Sequence, residues 1–386
     1  INLGHIFNEC ESEVIKGAEM SISTTRRTGG QLVVDCLRVN DVDRVFCVPG
    51  ESFLAVLDAI YDVPEIDLIV TRNECGAAMM ADAHGKLTGS PGICLVSRGP
   101  GAANACGGMH IAFQDSTPLI LLIGQNDRGT VDREGFQEVD YRRMYGQMAK
   151  WVAQVESTRR IPEYMSHAFH VAMSGRPGPV VLALPEDMLS SIVEGDPAPP
   201  ATLPSGMAAE VDVDAILEML QGAERPFVIA GGPGWSADAA RDLGRFAETA
   251  ELPVGVSFRA QDYLDNRHPN YAGDVGIGIN PALARRVREA DVLLALGPRL
   301  GEMTTSGYSL LAPPVPSQSL IHVHPDPSEP GHVYRPTLSV AARADRVVRA
   351  LAERAKPPGR PRIEAVRQAR ADYETWQKPP VSPGAL

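Results

Sequence analysis

The chain has 386 residues, 36 of them Lys or Arg and 48 Asp or Glu, for a formal net charge of −12. That length allows two domains and a further fragment, each with its own core. The acidic balance, with no long basic run, argues against a nucleic-acid partner or an anionic membrane surface.

No stretch reaches the roughly 18 continuous apolar residues of a membrane span. The start, Ile1 to Cys10, lacks the basic and apolar segments of a secretory signal, so the expected location is the cytoplasm. The first residue is Ile1 and the first periodic helix follows Met20, so residues 1–20 are expected to be an upstream or cloning-derived extension. An intact mass of naturally expressed protein that included residues 1–19 would refute this. Cys10, Cys36, Cys47, Cys75, Cys94 and Cys106 contain no Cys-x-x-Cys pair, which reads as reduced thiols rather than disulfides or a metal site.

From residue 21 to 193, strand-like and helix-like patterns alternate. Thr28 is placed to cap a helix whose apolar face is Leu32, Val33, Cys36 and Leu37. Strands are expected at 45–48, 66–70, 93–96, 119–123 and 180–184, the last of these closing the domain. Helices are expected after Pro49-Gly50, after Glu74, and at 102–113, 140–148 and 161–173, the last with Pro162 in its first turn. Residues 194–206, with Pro197, Pro199, Pro200 and Pro204, form a linker. A second alternating block fills 207–355, with strands at 227–230, 254–258, 292–296 and 320–323 and helices at 212–220, 237–247 and 281–289. Residues 356–386 give one helix, at 363–373, and another linker. The fold class is therefore α/β, with two doubly wound parallel-sheet domains.

One carboxylate stands out. Glu74 follows the β-branched run 66–70 and opens a helix, which places it at the carboxyl end of a strand, where open α/β sheets bind ligands. Pro49-Gly50 and Gly99-Pro100-Gly101 put backbone-exposing turns at two neighbouring strand ends. Taken singly, each has a plain explanation: a first-turn carboxylate suits the helix dipole, and glycine and proline suit helix entry. Gly76, Ala77, Ala78, Ala81, Ala83 and Gly85 make the following helix small-sided and fit for close packing, with another subunit as one partner. In the second block, Gly232-Pro233-Gly234-Trp235-Ser236-Ala237 fits the Gly-x-Gly-x-x-Ala dinucleotide pattern. The acidic residue expected to end the next strand is absent there, since Glu251 comes before it. An NAD-dependent enzyme or nucleotide-binding module remains the rival of another class, to be separated by titrating NAD, FAD and thiamine diphosphate.

The ordered set Val45-Phe46-Cys47-Val48-Pro49-Gly50, Arg72-Asn73-Glu74-Cys75-Gly76-Ala77-Ala78, Ser97-Arg98-Gly99-Pro100-Gly101-Ala102-Ala103-Asn104, Asp115-Ser116-Thr117-Pro118, Phe136-Gln137-Glu138 and Gly175-Arg176-Pro177-Gly178-Pro179 resembles thiamine diphosphate enzymes of the acetohydroxyacid (acetolactate) synthase type. The resemblance implies a pyrimidine-binding domain in which the glutamate matching Glu74 hydrogen-bonds N1′ of thiamine diphosphate. The 4′ nitrogen then removes the thiazolium C2 proton, and the ylide attacks a 2-keto acid. Such a role requires Glu74 to exchange a proton near neutral pH, so burial must offset the helix dipole, which favours the charged form. Pro49, Gly50, Gly99 and Gln137 match positions beside the cofactor or at the site entrance.

The same resemblance makes the second block a middle domain, which in acetohydroxyacid synthases holds FAD. Arg176, Gly276, Gly278, Gly297, Arg299 and Asp326 fall where such contacts occur. Leu300-Gly301-Glu302 stands where that family has Phe-Asp-Asp after the arginine, which leaves FAD and the exact product open. Family members hold Mg²⁺ and the diphosphate through a third domain with a Gly-Asp-Gly motif, and no Gly-Asp-Gly occurs in this chain. The expectation is thus a fragment that is inactive alone, a subunit of a split enzyme that pairs with a separate diphosphate-domain subunit, or a non-catalytic binding or regulatory protein. The implied reaction is acetolactate synthase-like, or a 2-keto acid decarboxylation of the same family, in a homodimer or homotetramer.

Overall fold

The computed structural model describes residues 26–204 and 206–378, so the expected extension at 1–20 lies outside the described residues. In chain order the first part comprises β1 (Arg26–Thr28), α1 (Gly29–Val39), β2 (Arg44–Cys47), α2 (Leu54–Tyr61), β3 (Asp67–Val70), α3 (Glu74–Thr88), β4 (Gly92–Val96) and α4 (Pro100–Asp115). It continues with β5 (Leu119–Gln125), α5 (Tyr141–Tyr145), β6 (Trp151–Gln154), α6 (Ile161–Met173), β7 (Pro179–Pro185), α7 (Glu186–Ser190) and β8 (Ile192–Glu194). Six strands form a wholly parallel sheet in the order β3-β2-β4-β5-β7-β6, while β1 and β8 pair antiparallel beside it.

The local causes are legible. The Thr28 hydroxyl accepts from the Gln31 N–H while the Gln31 side chain accepts from the Thr28 N–H, a reciprocal cap that starts α1. Helices cover both faces of the sheet, so β4, β5 and β7 are buried at every residue and read as continuous apolar runs. Strand β7 is the last of the six in chain order but is not an edge of the sheet. It lies between β5 and the edge strand β6, whose Trp-Val-Ala-Gln is too short and too polar to stand out. The helix expected at 140–148 is only α5, capped by the Asp140 carboxylate.

The small-sided face of α3 is used within the chain. Ala77, Ala78, Ala81 and Gly85 are buried, and a Cβ on Gly108 of α4 would overlap the side chain of Ala78. Met79 and Met80 face outward instead.

The second part runs α8 (Glu210–Gly222), β9 (Phe227–Ala230), α9 (Ala237–Thr249), β10 (Val254–Ser257), β11 (Tyr271–Val275), α10 (Pro281–Glu289), β12 (Val292–Leu296), β13 (Ser319–His324), β14 (Leu338–Ala341), α11 (Ala344–Arg354) and α12 (Ile363–Trp376). Its parallel sheet has the order β11-β10-β9-β12-β13-β14. Two α/β domains with parallel sheets are therefore present. Strand order reverses between β2 and β4 in the first sheet and between β9 and β12 in the second, and these are the two crevices where ligands of such sheets bind.

Candidate active site

Strands β2 and β4 end in the turns that the sequence singled out. A Cβ on Gly50 would come within 2.7 Å of the Ser97 Cβ, and the Ser52 and Ser97 hydroxyls lie 3.1 Å apart, so the two turns face each other across the crevice. Gly99 has φ +52°, and a Cβ there would stand 2.8 Å from both the carbonyl oxygen and the Cβ of Gln137. Only glycine meets both demands. The Gly99 N–H donates to the Tyr141 hydroxyl at 3.0 Å, and burial pushes that phenol above its usual range. Thus Gly50, following Pro49, is brought together with Gly99 and Gln137.

Glu74 stands one strand away, at the first position of α3 after β3. The Asn73 side chain caps the helix by accepting from the Cys75 N–H at 2.9 Å, which frees Glu74 from capping. The carboxylate is half-buried. Asn104 Nδ2 of α4 donates to its Oε2 at 2.9 Å, while a Cβ on Gly101 would come within 3.4 Å of Oε1. The missing side chain at Gly101 leaves one carboxylate oxygen uncovered, and Asn104 fixes the other.

Sequence reasoning passed over two residues here. Asn104 lies one helical turn beyond Gly101, a spacing that puts both on one face. Arg98 is a cation between a fully buried strand and a glycine turn, and that position alone signals burial; it is 6% exposed. Beside it lies a cleft of about 230 Å³, lined in part by Glu51, Ser52, Asp127, Glu186 and Asp187.

The second residue set is arranged differently. Arg176 Nε donates to the Ser116 hydroxyl at 2.9 Å and Nη2 to the Phe113 carbonyl at 2.6 Å, with the guanidinium over the Phe113 ring. Burial and the nearby Arg299 push it below the usual arginine range. Arg299 donates to the Gln114 carbonyl and pairs with Glu329, while Arg259 pairs with Asp115. Three arginines thus hold the carboxyl end of α4. Asp326 accepts from the Ser328 N–H and hydroxyl and from the Arg176 N–H.

At the β9/β12 crevice the glycine turns touch: a Cβ on Gly232 would overlap the Gly297 carbonyl oxygen. Trp235 and Tyr263, stacked at 5.0 Å, donate to the Gly231 and Gly232 carbonyls, each at 2.7 Å. Gly276 and Gly278 follow the edge strand β11, four strands from β13 and Asp326. Of these residues Gly297 packs against the Gly231-Gly232 turn, whereas Gly276 and Gly278 meet no other glycine turn, and a Cβ on Gly278 would have nothing within 4 Å.

Residues 27–144 match the family model described as the thiamine pyrophosphate enzyme N-terminal TPP binding domain, and residues 213–351 match that of the central domain. The chain belongs to the thiamine pyrophosphate enzymes. It is 31% identical over 330 residues to a probable acetolactate synthase large subunit of Methanocaldococcus jannaschii, covering 84% of this chain and 55% of that protein. It is 33% identical over 303 residues to the acetolactate synthase isozyme 2 large subunit of Escherichia coli, covering 78% and 54%. The chain spans about half the length of these curated relatives. The matched N-terminal model includes Gly50, Glu74, Gly99, Asn104 and Gln137. Among the described residues, no helix is long and apolar enough to cross a membrane.

Proposed function

We propose that this protein serves a thiamine diphosphate-dependent reaction on a 2-keto acid, acetolactate synthase-like, in which decarboxylation is followed by carbon–carbon bond formation. The observation that carries this reading is Glu74 beside the β2/β4 crevice, with one oxygen fixed by Asn104 and the other open above Gly101.

Glu74 would hold the aminopyrimidine end of the cofactor, with the Gly50, Gly99 and Gln137 turns forming the neighbouring wall. Bound there, thiamine diphosphate supplies an acidic carbon that adds to a keto carbonyl and accepts the electrons released on loss of CO₂. Glu74 exchanges a proton with the ring nitrogen through Oε1, since Oε2 is tied to Asn104. The open side of Glu74 is where a second protein surface, either another copy of the chain or a separate subunit, would close over the cofactor. Magnesium enters as the counter-ion of the diphosphate; among the described residues no group of three His, Cys, Asp or Glu side chains is placed to hold it.

The test uses the protein expressed from its complete reading frame. Glu74→Gln should slow deuterium exchange at C2 of bound thiamine diphosphate by about 10²-fold or more. Unchanged exchange would sink the assignment.

A further inference from the structure

Arg98 has more partners at the candidate site than any single cofactor-side glycine turn, and none of the roles proposed above uses it. Its Nε donates to the Phe136 carbonyl at 3.0 Å, Nη2 to Glu51 at 2.9 Å and Nη1 to Glu186 at 3.3 Å, and the guanidinium faces the Phe136 ring at 5.9 Å. These partners are spread along the carboxyl edge of the first sheet. Glu51 follows Gly50 in the turn after β2, Phe136 precedes Gln137, Glu186 follows β7, and Arg98 itself precedes Gly99 after β4. One planar fork therefore joins all three turns that face the crevice.

A purely structural role accounts poorly for this. Burying a guanidinium costs hydration that a methionine would not lose. Its removal would strand little, because the Glu51 and Glu186 side chains are 67% and 44% exposed and the Phe136 carbonyl also accepts from Asn126 Nδ2 at 2.9 Å. What Arg98 supplies, alongside the Ser52–Ser97 contact, is the relative placement of the turns.

We infer that Arg98 is a positioning residue that locks the Gly50, Gly99 and Gln137 turns into their cofactor-facing arrangement, an inference that rests on the thiamine diphosphate reading above. Lysine does not substitute for it, since a point charge cannot serve three acceptors in one plane.

The experiment measures thiamine diphosphate binding, turnover at saturating cofactor and thermal melting for the complete gene product and its Arg98→Met, Arg98→Lys and Glu51→Gln variants. Arg98→Met should melt near the parent yet need about tenfold or more thiamine diphosphate for half-saturation, the scale of a misplaced site. Arg98→Lys should fail to restore binding, and Glu51→Gln should shift half-saturation the same way by a smaller factor. If Arg98→Met only lowers the amount of active protein and leaves half-saturation unchanged, the role is structural and the inference is overturned. Should that variant not fold, unchanged binding in both Arg98→Lys and Glu51→Gln overturns it equally. Failure of the parent protein to bind thiamine diphosphate would instead sink the underlying function.

Discussion

The two parallel sheets present their carboxyl edges in opposite ways. At the β2/β4 crevice the glycines create space: Gly101 leaves Glu74 Oε1 uncovered, and Gly99 lets the Gln137 backbone approach. At the β9/β12 crevice the glycines remove it, because Gly232 and Gly297 are in backbone contact and Trp235 and Tyr263 cover the adjoining carbonyls. The cations differ as well. Arg98 organises turns around an opening, whereas Arg176, Arg259 and Arg299 hold the end of α4. Similar topology therefore leaves an opening at one sheet edge and packs the other shut. Helix α4 joins them, with Asn104 on Glu74 near one end and the arginines at the other.

The largest expected difference between the two edges is chemical. Asn104→Ala should impair C2 exchange in the same direction as Glu74→Gln but by less, about tenfold, because it removes one charge-assisted hydrogen bond and spares the carboxylate. A matched change at the second edge, Arg299→Ala, should leave exchange within about threefold, as its part-buried pair with Glu329 lies at the far end of α4 from Glu74. Equal losses in hydrogen–deuterium exchange at C2 would break the comparison. Absorbance of the purified protein tests the second crevice: no band near 450 nm keeps it as a packed edge, and a stoichiometric band would make it a cofactor site.

The next effect is on stability. Gly232 has φ +73°, and its Cβ position is taken by the Gly297 carbonyl oxygen. Gly232→Ala should cost about 3 kcal/mol or more, from strain together with overpacking. Urea unfolding would check this, and a loss under about 1 kcal/mol would mean that the turns can separate to admit a ligand.

Much of this contrast was open to sequence reasoning. Repeated alternation identified two parallel α/β domains, because strands buried on both faces must be nearly all apolar, as in 119–125. Strands β6, β11 and β14 were not legible: they are edge strands, and Tyr271-Ala-Gly-Asp-Val even carries a glycine at φ +120°. Glu74 and the glycine turns stood out because special backbone conformations restrict residue choice. Arg98 and Asn104 did not, since their importance lies in partners 38 to 88 and 30 positions away in the chain. The contact of Arg299 with α4 was not legible either, since it joins one domain to the other, and Arg176 reaches the end of α4 from 60 or more positions away in the chain.

The acid response should report the second edge. His324 is fully buried, its Nδ1 accepts from the Asp326 N–H at 3.1 Å, and its Nε2 has no partner among the described residues. Burial lowers its pKa from 6.5 to about 4. Between those values the unfolded chain binds the extra proton and the folded chain does not, so stability falls as pH drops from 6.5 toward 4. The ceiling is about 3 kcal/mol. His324→Asn keeps an acceptor for Asp326 and should flatten that part of the profile, as read by urea midpoints at successive pH values.

An effect of no larger size lies on the seam between the two parts and has the opposite pH window. Lys150 Nζ donates to the Ser174 carbonyl at 2.7 Å and to that of Val171, capping the end of α6. Burial lowers its pKa from 10.5 to about 8, and the opposing pull of Asp326 from the second part is not enough to restore it. The folded chain releases the proton first, so stability should rise between pH 8 and 10.5 as the unfolded chain continues to hold it. The neutral amine still has two hydrogens for its two carbonyls, so the cap survives deprotonation. Lys150→Met should remove the rise, and Asp326→Asn should enlarge it by shifting the Lys150 transition to lower pH. A rise that persists in Lys150→Met would assign the alkaline gain to another group and disconnect the seam from this titration.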